Sequence, residues 1–103
     1  MEYKDLFCDK SRWTKDRRAV DKRGIAVSPC DSEAASWSLD GAIYKVNSGG
    51  ADNFVKQRLS LIRAALALYP ERADKVNVLA GFNDHRLTTF ADVLKVIDFA
   101  GLI

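Results

Sequence analysis

Asp84 and His85 stand side by side in the stretch "FNDHRL", and a carboxylate beside an imidazole can orient a general base. Neighbouring residues rarely point at each other, however. Asn-Asp ahead of a capped helix is usually turn chemistry, so Asp84 and His85 are expected to shape a loop. His85 is the chain's one histidine. A metal site would have to gather it with Cys8 and Cys30 from three distant places and add a carboxylate, unlike the close Cys/His spacings of structural zinc. No HExxH, nucleophile elbow, Walker lysine or GxGxxG pattern occurs. The sequence therefore predicts no enzyme, no catalytic residue, no cofactor and no metal.

Positive charge is the chemistry present in quantity. Residues 10 to 23 hold seven basic side chains against Asp16 and Asp21, a local charge of +5, while the whole chain carries +2 and the remainder therefore −3. Arg12, Lys15, Arg17, Arg18, Lys22 and Arg23 could meet phosphates while Trp13 stacks on a base. The low total charge and the mixed charge of the strongest helices argue against a dedicated nucleic-acid domain. The other readings are a solvated loop whose arginines pair with acids elsewhere, or a patch that grips an acidic protein surface.

Length and composition bound what can position these residues. A chain of 103 residues, 48% hydrophobic and 29% charged, is expected to fold as one domain with a single core. It divides into a basic, irregular or hairpin segment at 1–27 and a helical part at 28–103. No apolar run approaches the ~20 residues of a membrane span, and "MEYKDLFCDK" lacks a secretory core, so a cytoplasmic setting with two free thiols is expected.

"DKRG" at 21–24 reads as a turn with Gly24 at positive φ, joining "RRAV" and "IAVS" in a small hairpin. "SPCD" predicts a helix start, with Ala35, Leu39, Ala42, Ile43 and Val46 on one face and Trp37 and Tyr44 on the other. Those two aromatics are expected to be covered by the N-terminal segment, Trp13 included. The competing reading is an aromatic ligand groove floored by Gly41. "NSGG" predicts a glycine C-cap rather than a phosphate cradle, since no P-loop lysine follows. Residues 52–69 show the clearest period, with Val55, Leu59, Ile62, Leu66 and Tyr69 as the stripe, widened by Phe54, Leu61, Ala65 and Leu68. Pro70 stops that helix. A short helix is expected at 72–80, ending before Gly81. Thr89 and Asp92 form a capping box for a last helix to about Ala100.

That last helix is apolar nearly all round, with only Asp92, Lys95 and Asp98 polar in "FADVLKVIDFAGLI". Its own core can take Phe90, Val93, Leu94 and Ile97. Val96, Phe99, Leu102 and Ile103 are then left for a second chain, which predicts a homodimer centred on Phe99.

"AVD..G" from Ala19, "V.P" at 27–29, "A..W.L.GA" from Ala34, "ND" at 83–84 and "T..DVL..ID.A" from Thr89 together resemble a small domain family of phage and bacterial genomes with no assigned activity. The resemblance runs from about Trp13 to the C terminus. Arg17 and Arg18 depart from its small or aromatic positions, and Phe82 from an expected tryptophan. It implies a phage or mobile-element setting and transfers no catalytic residue. The reading is a mainly α protein, a bundle of about four helices with room for a small N-terminal hairpin. It is expected to bind a host or defence macromolecule stoichiometrically, with nucleic-acid binding through residues 12–23 as the alternative.

Overall fold

The computed structural model describes residues 2–50 and 52–103. Five helices and a two-stranded sheet build it: α1 (Tyr3–Leu6), β1 (Ala19–Val20), β2 (Ser36–Trp37), α2 (Leu39–Val46), α3 (Phe54–Leu68), α4 (Val78–Asp84) and α5 (Phe90–Phe99), with single 3₁₀ turns at Lys10–Arg12 and Pro70–Arg72. The fold is mainly α, as expected. α3 packs against α2, α4 and α5, and the sheet and α1 close the bundle from the N-terminal side.

The core is one cluster that includes Leu39, Ala42 and Ile43 of α2, Leu61, Ala64 and Ala65 of α3, Leu79 and Phe82 of α4, and Val93, Val96 and Ile97 of α5. Tyr3, Leu6 and Phe7 join it from the first seven residues, a contribution the short, mixed N-terminal sequence did not announce.

Several boundaries differ from expectation for local reasons. Ser28 accepts a bond from the Cys30 amide, but no helix grows from it. Residues 28–35 turn on the Asp31 carboxylate, which accepts the Glu33 amide, and α2 starts ten residues later on Ser38, whose hydroxyl accepts from Gly41. Trp37 thus precedes the helix and lies in a strand. β1 and β2 are antiparallel, Ala19 opposite Trp37 and Val20 opposite Ser36. The expected hairpin with "IAVS" is present in short form: Val20 bridges Ala26, the Asp21 amide donates to the Ile25 carbonyl and the Val27 amide to the Ala19 carbonyl. The intervening turn is as expected: Gly24 has φ +81° and donates to the Asp21 carbonyl.

α2 ends on Asn47, whose side-chain amide donates to the Ile43 carbonyl, so neither Gly49 nor Gly50 serves as a left-handed cap. Residues 73–77 form a turn in which Asp74 accepts the Val76 amide, and Asn77 caps α4 through the Ala80 amide. The helix therefore starts later than expected and runs through Gly81 to Asp84, so "FND" is helical rather than loop. The Thr89–Asp92 capping box of α5 is present in both directions.

Candidate binding surfaces

Asn83 and Asp84 occupy the last turn of α4, where they clasp the segment that leads into the basic stretch. Asn83, fully buried, accepts the Trp13 indole N–H (2.7 Å) and the Leu39 amide (3.0 Å) on one oxygen, and its NH₂ donates to the Thr14 carbonyl (3.1 Å) and to Asp84 (2.8 Å). Asp84 also accepts the Asp16 amide (2.9 Å), holding Asp16 at φ +68°. Lys15 donates to the His85 carbonyl (2.7 Å) and lies over the Trp13 ring. Buried polar groups matched in this way rigidify what they join.

This geometry separates Asp84 from His85 chemically. The carboxylate faces the N-terminal segment, whereas His85 caps α4 and its Nδ1 accepts the Leu87 amide. The two side chains share no hydrogen bond. Cys8 and Cys30 are free and exposed. Among the described residues no group of three or more Cys, His, Asp or Glu could hold a metal.

The basic residues divide into those spent on the fold and those left outward. Arg12 donates to the Leu6 carbonyl (3.1 Å) and lies over Trp37. Trp13 is half-buried beside Phe90. Arg18 and Arg58 both pair with Asp40, and Arg18 stacks on Tyr44. Arg23 pairs with Asp21 (3.3 Å). The Ile25 amide, with the Arg23 amide and guanidinium, holds the Asp21 carboxyl below the usual range despite the opposing effect of desolvation. Arg17 donates to its neighbour's carbonyl, and neither it nor Lys22 pairs with a carboxylate among the described residues; both are exposed. A cleft of about 200 Å³ opens beside the clasp, with Asp16, Arg17, Arg18, Asp40 and Asp84 in its walls.

Trp37 is buried under Arg12 with its indole N–H on the Pro29 carbonyl, and the Thr14 amide donates to its carbonyl, so the N-terminal segment covers it as expected. Tyr44, expected to be covered as well, stays exposed, with Arg18 over its ring and Phe54 beside it. No ligand groove opens at Gly41: the Arg18 carbonyl occupies the space that a Cβ there would need.

The second surface is apolar. α3 buries Leu61, Ala64 and Ala65 and leaves Val55, Leu59 and Leu66 of the periodic stripe exposed. At the end of α5 and just beyond it, Phe99 and Ile103 are exposed and Leu102 is half-buried. Val96, expected at an interface, is fully buried, because Val93, Val96 and Ile97 form the turn-by-turn face that meets the core. It is removed from the surface set.

Clasp, exposed cations and apolar face define a small helical domain with two chemically distinct exposed surfaces. The chain belongs to a family of unknown function (DUF6197), whose model matches residues 3–101. That span takes in α1, beyond the Trp13 boundary of the sequence resemblance, in keeping with the burial of Tyr3, Leu6 and Phe7. Comparison with curated proteins found no match, and comparison with solved structures found none.

Proposed function

We propose that the protein works by binding: an accessory protein of a phage or mobile element that engages a host or defence protein stoichiometrically in the cytoplasm. The observation that carries this reading is the clasp. Asn83 and Asp84 fix residues 13–16, directly ahead of Arg17, while Lys22 projects from the turn on the far side of β1; neither cation pairs with a carboxylate among the described residues. A contact loop ordered in advance loses less entropy on binding. Exposed cations beside it favour encounter with an acidic protein face.

The test is capture of a partner from host lysate by the tagged chain, compared with an Arg17→Glu/Lys22→Glu variant. Near-equimolar recovery of one protein by the wild type and its loss with the variant are expected. Equal recovery by both would move the contact elsewhere.

The exposed Arg17 and Lys22 also favour a second reading, nucleic-acid binding. Trp13 gives it little help, since its indole N–H is committed to Asn83 and its ring is covered by Lys15. What remains is phosphate contact, which weakens with a slope near ~0.9 per neutralised phosphate in log–log salt plots. Weak binding that vanishes near physiological salt is expected. A sequence-selective complex surviving about 0.2 M salt would favour this reading over the first.

A further inference from the structure

The outer face of the α3–α5 pair has no cover in the single chain. Phe99 is 60% exposed, and Leu59 and Leu66 nearly half. The two helices share this surface: Phe99, Lys95 and Asp98 form a groove of about 390 Å³ with Leu68 and Tyr69, and Leu102 shares another with Leu59 and Arg63. Grooves lined by exposed apolar side chains of this kind often mark a contact site.

Charge pattern identifies what fits it. α3 carries Lys56, Arg58 and Arg63 and no acid between Phe54 and Leu68, so a two-fold pairing centred on α3 would bring like charges together. α5 is different. Its exposed positions include Ala91, Lys95, Asp98 and Phe99, at spacings of four, seven and eight from Ala91. Lys95 and Asp98 make no ion pair within the chain among the described residues.

In an antiparallel two-fold pairing, each residue meets the one equally far on the other side of the axis. An axis at the level of the Val96–Ile97 peptide sets Lys95 opposite Asp98 of the partner subunit, twice by symmetry. The same side is therefore complementary to itself in charge.

We propose that this face is covered by a second copy of the chain, through antiparallel two-fold pairing of α5. Lys95 and Asp98 form reciprocal ion pairs across the axis, and each Phe99 is withdrawn from water between the two copies, beside the groove that Leu68 and Tyr69 line. The proposal is independent of the partner sought through Arg17 and Lys22, which flank β1.

Sedimentation equilibrium of the full chain tests it. The wild type is expected to be dimeric at tens of micromolar or below, and Phe99→Asp monomeric with an unchanged circular dichroism spectrum. Lys95→Glu and Asp98→Lys should each weaken the dimer about tenfold. The double variant should regain most of that loss, because the pair is restored with its signs exchanged. A wild type that stays monomeric through about 100 µM overturns the proposal, as does a dimer that persists in Phe99→Asp. Single reversals that weaken the dimer without rescue in the double overturn the register. Should Phe99→Asp not fold, the exposed Lys95 and Asp98 variants decide alone. Wild type that is monomeric and sediments with phosphatidylserine-containing vesicles would assign the face to an anionic lipid surface instead.

Discussion

At the scale of single residues, Asn83 and His85 make opposite predictions although they sit two positions apart. Among the described residues Asn83 is the only partner of the Trp13 indole N–H and the Leu39 amide, and it also serves the Thr14 carbonyl. Leaving a buried polar group unpaired costs about 1–3 kcal/mol. Asn83→Ala should therefore lower stability by about 3 kcal/mol or more, seen as a lower urea midpoint and faster proteolysis within residues 13–18. The His85 side chain makes one hydrogen bond among the described residues, accepting the amide two residues on. His85→Ala should stay within about 0.5 kcal/mol of wild type, as most substitutions away from a core or network do. Equal midpoints for the two variants would remove the clasp from the account. The sequence contained the relevant signal without making it easy to read. Leu79, Phe82 and Asn83 share an inward face at spacings of three and four, but assigning "FNDHRL" to a loop hides that period. Asn83 was visible only as part of a pattern, not as a buried hub.

At the scale of elements, α5 was the most legible because several local signals agree: the Thr89–Asp92 box, a polar stripe spaced by three, and a glycine beyond the end. Only Val96 fell on the wrong side. α3 was legible as a helix but not in its orientation. Its sequence carries two overlapping apolar stripes, and the leucine-rich one is the more conspicuous. The buried one runs through Ala64 and Ala65, whose small side chains suit close approach by neighbouring helices, and only tertiary packing selects between them. The start of α2 was misplaced because Ser28–Pro29 and Ser38 are both competent caps, and pairing of Ser36–Trp37 with β1 settles the choice.

Asp92 supplies a test of the α5 N terminus. Burial alone would raise its pKa, but hydrogen bonds from the Thr89 amide, Arg72, Tyr69 and the Thr89 hydroxyl outweigh this and lower it. A carboxyl lowered in the folded state adds stability that is present above its unfolded pKa of about 3.9 and is lost as pH falls through the folded value. Asp92→Asn should therefore be less stable than wild type near neutrality, and the gap should narrow as pH drops below about 4. Asp9 and Asp21 are lowered as well, so an acid-sensitive limb should persist in the variant with a shallower slope. Denaturant midpoints across that pH range measure it, and a gap that stays constant would show that the Asp92 charge contributes nothing to holding Tyr69, Arg72 and α5 together.

At the scale of the whole molecule, the question is whether the first dozen residues decorate the helical domain or belong to its core. Their sequence does not decide it: "EYKDLF" is short, charged at half its positions, and backed by no repeat. The structure places Tyr3, Leu6 and Phe7 at 3% exposure or less. The Tyr3 hydroxyl donates to Gln57 on α3, which also accepts from Asn47 at the end of α2, so one side chain joins three elements. Phe7 meets Phe90 edge to face with ring centres 6.3 Å apart, at the first turn of α5. Burial of a large apolar side chain is worth roughly 1.5–3 kcal/mol. Losing three such residues removes on the order of 5–9 kcal/mol, comparable with the 5–15 kcal/mol by which domains are usually stable. Their removal would also expose Phe90 and Trp37, which Phe7 and Arg12 cover. A chain beginning at Trp13 should therefore keep part of its far-ultraviolet helical signal while losing its near-ultraviolet aromatic signal and its cooperative melting transition. A truncated chain that melts cooperatively near the full-length temperature would reduce α1 to an appendage and place the domain's true boundary at Trp13.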